Sequence, residues 1–150
     1  MRETLVVSAQ LAELGRARDW TEAVARSFTL PPSTLFAIQL CCEEALSNIA
    51  RYAFDDTDYA CRELHLCVER ESDEITVTIE DQGKPFDPWS VPPPPKPATI
   101  EEASAGGWGL QLIRKFARSH NYERRDAVNR LTLTFLVAEN SAAPLGDTLV

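Results

Sequence analysis

Long apolar runs, glycine and paired cysteines are what this sequence lacks. No stretch approaches the ~20 apolar residues of a membrane-spanning helix, so no membrane association is expected. Met1 to Gln10 show no basic segment followed by an apolar one and a cleavage site. The expectation is a soluble, cytoplasmic protein. The four cysteines, Cys41, Cys42, Cys61 and Cys67, form no C-x-x-C pair. A zinc site completed by His65 is therefore disfavoured, and reduced, packing cysteines are expected. Basic residues are outnumbered, 15 against 23, for a net charge of -8. That balance argues against a broad electrostatic grip on nucleic acid.

What is present suffices for one packed domain. Of 150 residues 44% are apolar and 25% charged, and a chain of this length buries roughly 70% of its unfolded surface without a disulfide staple. No internal repeat or domain boundary is visible, so residues 1–150 read as a single domain.

Periodicity predicts the elements. Thr4 to Ser8 reads as a strand and Leu11 to Phe28 as a helix, with Leu11, Leu14, Val24 and Phe28 inward. Ser33 is a plausible N-cap for a second helix to about Phe54. Leu35, Ile38, Cys42, Ala45, Ile49 and Ala53 give that helix one apolar face. Glu63 to Glu69 and Glu74 to Asp81 alternate as strands, joined through Glu71-Ser72-Asp73. From Gln82 to Gly107 no period survives. Seven of the ten prolines lie between Pro85 and Pro97, which excludes helix and central strand and suggests a lid or binding loop. Gly109 to His120 reads as a third helix with His120 capping its end. Arg130 to Ala138 reads as a strand, with a further short strand possible near Asn121 to Arg125. The tail, about 139–150, is expected to be loose. The fold class is α+β: a two-layer sandwich of a mixed, mostly antiparallel sheet with helices on one face.

Three blocks carry chemistry. Glu44 and Asn48 are four apart on the long helix and share a side. The carboxylate suits a general base and the amide oxygen a hard cation such as magnesium. Asp81 shares the parity of Ile75, Val77 and Ile79, so it leaves its strand on the apolar face, where a charge needs a partner. Gly83 follows, and glycine allows a flat ligand to approach the backbone. Gly106-Gly107-Trp108-Gly109 opens the third helix. A glycine-rich loop at a helix start offers free N–H groups to phosphate, although neither a Walker loop nor a dinucleotide fingerprint is formed.

In this order the blocks resemble the Bergerat nucleotide-binding fold of the gyrase, Hsp90, histidine-kinase and MutL superfamily. Among its members the chain is similar to the anti-sigma-factor serine/threonine kinases of bacterial partner-switching systems. Glu43-Glu44-Ala45-Leu46-Ser47-Asn48 is similar to their N box. Glu80-Asp81-Gln82-Gly83-Lys84-Pro85-Phe86-Asp87-Pro88 is similar to their D-x-G-x-P-F-D box. Gly107-Trp108-Gly109-Leu110-Gln111-Leu112-Ile113 is similar to their second glycine box, and Asn129-Arg130-Leu131-Thr132-Leu133 to their last strand.

The resemblance implies ATP and Mg2+ as cofactors. Asp81 would accept from the adenine amino group, with Gly83 and Phe86 beside the base. Asn48 would ligate the metal, and Glu44 would be the catalytic carboxylate. Gly106, Gly107, Trp108, Gly109 and Leu110 would hold phosphate, with Arg51 a further candidate. Residues about 84–107 would be the ATP lid. The implied substrate is a STAS-domain anti-anti-sigma protein, the competing partner a sigma factor, and the assembly a homodimer built on the first strand. The lid departs from the family in its proline content, and only Lys96 and Thr99 stand in for its usual phosphate contacts. A binding module without kinase turnover therefore stays open as the alternative. Arg114, Lys115, Arg118, Arg124, Arg125 and Arg130 read as a solvated basic face, and Trp89 as exposed in the lid.

Overall fold

A computed structural model describes residues 1–54, 62–90, 92 and 108–137. The elements are β1 (Arg2–Ser8), α1 (Leu11–Ser27), α2 (Pro32–Tyr52), β2 (Glu63–Glu71), β3 (Glu74–Asp81), α3 (Gly109–Phe116), β4 (Ser119–Arg125) and β5 (Val128–Leu136). A short 3-10 turn, Pro88–Ser90, stands between β3 and α3. The strands form one sheet in the order β1-β2-β3-β5-β4. All four pairings are antiparallel, so among the described residues the expected mixed character is absent.

Alternation fixes which face is covered. Leu64, Leu66, Val68, Ile75, Val77, Ile79, Leu131, Leu133 and Phe135 are buried, while their neighbours stay partly or fully exposed. They pack against Val24, Ala25 and Phe28 of the α1 region, Ile38, Cys42 and Leu46 of α2, and Ile113 of α3. Each such fully buried aliphatic side chain contributes roughly 1.5–3 kcal/mol relative to exposure. The result is the two-layer α+β sandwich expected.

Three local readings need correction. Helix α2 starts at Pro32 with Pro31, not Ser33, as the N-cap residue, and no side chain caps it. Proline has no N–H to lose at a first helical position, and its φ is already suitable. Helix α3 ends at Phe116, because Ala117 is extended and the Arg118 amide donates to the Thr134 carbonyl at 2.8 Å. Sheet pairing thus overrides helical propensity. His120 then sits in β4 opposite Leu133 and caps nothing. The β4–β5 turn is made by Asp126 and Ala127, both left-handed (φ 50° and 64°), which suits a tight hairpin. The tail beyond residue 137 and most of the proline-rich segment lie outside the described residues.

Candidate functional site

The cleft lies where the C-terminal half of α2 faces the end of β3. Asn48, Ile49 and Ala53 form one wall, Leu110 and Ile113 of α3 another, and Asp81, Tyr122 and Asn129 the end. Phe86 and Pro88 close one side. The strand alternation that buries Ile75, Val77 and Ile79 also buries Asp81, which is only 5% exposed. Two hydrogen bonds from described residues end on Oδ1, from the Gly83 amide at 2.8 Å and from Asn129 Nδ2 at 2.9 Å. Among the described residues none ends on Oδ2. Burial pushes the Asp81 carboxyl above its usual range, opposed by those two bonds and by the Arg124 charge.

Gly83 has a reason for being glycine within the protein itself. A Cβ there would strike the Ala53 carbonyl, and would lie 2.7 Å from the Ala53 Cβ. The absent side chain lets the β3 end lie against the last turn of α2, where the Lys84 amide donates to the Ala53 carbonyl at 2.7 Å.

Glu44 stands one helical turn before Asn48 and is half-buried. Its Oε2 lies against Gly109, where a Cβ would collide with it. Its charge and, above all, burial push the Cys41 thiol up to about 12. Cys42 is raised further by burial, so neither buried thiol is a nucleophile at neutral pH. Neither Glu44 nor Asn48 makes a side-chain hydrogen bond among the described residues, so a carboxylate and an amide stand ready beside the cleft. An unspent amide oxygen on a half-buried helix flank fits a hard, oxygen-seeking cation.

The structure thus brings Asn48, Asp81, Phe86 and Leu110 to one cleft, with Glu44 and Gly109 in contact beside it. Gly83 supports the cleft from behind. Arg51 is exposed and does not line it. Trp108 is the half-buried N-cap residue of α3, its carbonyl accepting from the Leu112 amide at 2.9 Å, and is not among the lining residues. Gly106, Gly107, Lys96 and Thr99 lie outside the described residues.

Sequence reasoning missed Tyr122, Asn129 and the reach of Arg124. Tyr122 OH and Arg124 Nη1 both donate to Asn129 Oδ1, at 2.8 and 2.6 Å. Arg124 Nη1 also donates to the Gly83 carbonyl at 3.0 Å. Arg124 is therefore part of the site and not merely of a solvated basic face. A signal existed for Asn129. It shares parity with Leu131, Leu133 and Phe135, so it is a polar residue on an inward face, as Asp81 is. Trp89 also departs from expectation: it is half-buried, stacked on His120 with ring centroids 3.8 Å apart, and its carbonyl accepts from Arg114 at 3.3 Å.

Residues 7–135 match the family described as Histidine kinase-like ATPase domain. The chain belongs to that family. Within it, the chain is 34% identical over 132 residues to the serine/threonine-protein kinase BtrW of Bordetella bronchiseptica, covering 88% of this chain and 92% of the relative. The family assignment therefore carries an ATP-binding domain, and the relative that shares it over most of both chains is named a serine/threonine-protein kinase. Among solved structures, the RsbU and RsbW domains of a Mycobacterium tuberculosis protein superpose with a TM-score of 0.65 at 10% identity. That match covers 91% of this chain and 32% of the longer one, so this chain spans about a third of that neighbour. The SiaB–SiaC complex of Pseudomonas aeruginosa matches with a TM-score of 0.58 at 13% identity, over 90% of this chain and 89% of that one. Both likenesses concern the fold.

Proposed function

We propose that this family member is an ATP- and Mg2+-dependent serine/threonine protein kinase that also acts as an anti-sigma factor in a partner switch. Its substrate would be a STAS-domain anti-anti-sigma protein. The observation that carries the reading is Asp81: a carboxylate at the floor of an apolar cleft, with one oxygen twice satisfied and the other without a hydrogen bond among the described residues.

That spare oxygen is an acceptor for the adenine amino group, and Ile49, Phe86 and Leu110 offer apolar surface to the ring. Gly109, the first residue of α3, would present its backbone N–H to phosphate, as would Gly106 and Gly107 of the same sequence motif. Asn48 would hold a magnesium ion, which when bound neutralises phosphate charge. Glu44 would orient the substrate hydroxyl and take its proton as the oxygen attacks the terminal phosphorus and ADP departs. Phosphoryl transfer needs mainly positioning and charge neutralisation, so this sparse set suffices. Arg51, exposed at the end of α2, would play no more than a peripheral part.

The partner reading draws on the relatives. BtrW is named a serine/threonine-protein kinase, and SiaB is seen in complex with a second protein, SiaC. Among the described residues β1 is an edge strand, paired only with β2, and an open edge of that kind supports a homodimer. No helix among the described residues is long and apolar enough to cross a membrane; a cytoplasmic location is part of the proposal.

Incubation with labelled ATP and a STAS-domain protein tests the reading. Acid-stable phosphoserine or phosphothreonine, lost in Glu44→Ala, is the expected result. ATP binding without transfer would favour a binding module, and transfer to histidine would overturn the serine/threonine assignment.

A further inference from the structure

The geometry points to Tyr122, Arg124 and Asn129 as positioning residues that set the choice of purine. They hold Asp81 as a pure acceptor, so that the cleft selects a 6-amino purine over a 6-oxo purine. The inference rests on the nucleotide reading of the cleft.

The hydrogen bonds run in one sense only. The Phe86 amide donates to Tyr122 OH at 3.2 Å, so the hydroxyl proton is free to go to Asn129 Oδ1, 2.8 Å away. Arg124 donates to the same oxygen at 2.6 Å, and a guanidinium has no acceptor to offer. Two donors therefore fix the oxygen side of the Asn129 amide. On its other side, Nδ2 donates to Asp81 Oδ1 at 2.9 Å and to the Lys84 carbonyl at 2.9 Å. Asn129 is 5% exposed, so little water can replace any of these partners. A flipped amide would turn an oxygen onto the Asp81 carboxylate and leave two donors facing an N–H.

The consequence falls on the ligand. N–H donors facing Asp81 favour its carboxylate form, which offers Oδ2 as an acceptor and suits the amino group of adenine. An Asp81 facing an amide oxygen gains by holding a proton. It then presents a donor, which suits the O6 carbonyl of hypoxanthine or guanine. Arg124 reaches no ligand in this scheme. It acts through Asn129, and its second bond, to the Gly83 carbonyl, fixes the turn that follows Asp81.

The experiment is calorimetric titration with ATP and with inosine triphosphate, each against the wild-type chain, the double variant Tyr122→Phe/Arg124→Met, and Arg124→Lys. The wild type should prefer ATP. In the double variant the ATP-to-inosine-triphosphate affinity ratio should fall about tenfold, the size of a lost hydrogen bond to a charged group. Arg124→Lys, still a donor without an acceptor, should keep most of the ratio. The two nucleotides are compared on one preparation, so a loss of folded protein lowers both affinities and leaves the ratio unmoved. An unchanged ratio in the double variant, or a wild type that binds both nucleotides equally, overturns the proposal. Binding of neither nucleotide by a folded wild type would instead remove the nucleotide reading beneath it.

Discussion

The two ends of the cleft are built on opposite plans. At the Asp81 end, side chains are tied to one another: Asn129 alone links Asp81, Tyr122, Arg124 and the Lys84 carbonyl. At the Glu44 end, the carboxylate of Glu44 and the amide of Asn48 have no hydrogen-bond partner among the described residues. On the proposed reading, fixing a base demands a rigid acceptor whose cost of burial is met within the protein. Handling phosphate, a metal and a protein hydroxyl demands groups whose bonds are unspent until those arrive. One end is a template and the other a set of open valences.

The difference can be broken in graded ways. The largest effect is expected at the open end. Glu44→Gln should lower the rate of transfer by about 10²–10⁴, the usual worth of a positioned acid or base, with ATP affinity little changed. Rapid-quench measurement of transfer beside calorimetric binding separates the two quantities. At the tied end the pattern should reverse. Asp81→Asn keeps an oxygen for Gly83 and Asn129 but turns an N–H toward the adenine amino group. ATP affinity should fall by about 10–100-fold while the chain stays folded, checked by circular dichroism and titration.

Alanine at the two described glycines of the site sharpens the contrast. At Gly83 the added Cβ meets the Ala53 carbonyl, which is backbone and cannot swing away. Gly83→Ala should cost about 1–3 kcal/mol in urea unfolding, as overpacking does. At Gly109 it meets the Glu44 carboxylate, the free end of a side chain. Gly109→Ala should lose less stability and more activity, because the carboxylate must move.

The smallest effect is in pH dependence. Burial raises the Asp81 carboxyl above its ordinary 3.8, so the folded chain holds that proton more tightly than the unfolded one. The stability this provides is complete below 3.8 and is lost as pH rises through the folded value. The stability of wild type minus that of Asp81→Asn, followed by urea unfolding at several pH values, should therefore decline from acid toward neutrality. A difference that rises with pH would mean that Arg124 and the two hydrogen bonds outweigh burial.

Much of this arrangement is legible in the residue pattern alone. Parity placed Asp81 inward, and the four-residue spacing placed Glu44 with Asn48, because local geometry alone decides those relations. Parity could have found Asn129 as well. Arg124 and Tyr122 could not be found that way. They sit on β4, whose Ser-His-Asn-Tyr-Glu-Arg-Arg run has no apolar alternation, and it becomes a strand only by pairing with β5. The end of α3 was hidden for the same reason. Gly83 was recognised as necessary, but its neighbour, Ala53, is thirty positions earlier in the chain. Contacts of that kind depend on how the layers meet, which no short window reports.

The stacking of Trp89 on His120 gives the protein a natural optical gauge. Burial and the nearby Arg114 push the imidazole below its ordinary titration range, which favours its uncharged form beside the indole. Acid that charges the ring should dim the emission, and anything that draws the 3-10 turn off β4 should abolish that dimming. With Trp20 and Trp108 replaced by phenylalanine, the position of the 3-10 turn beside the cleft should thus be readable by fluorescence without a label.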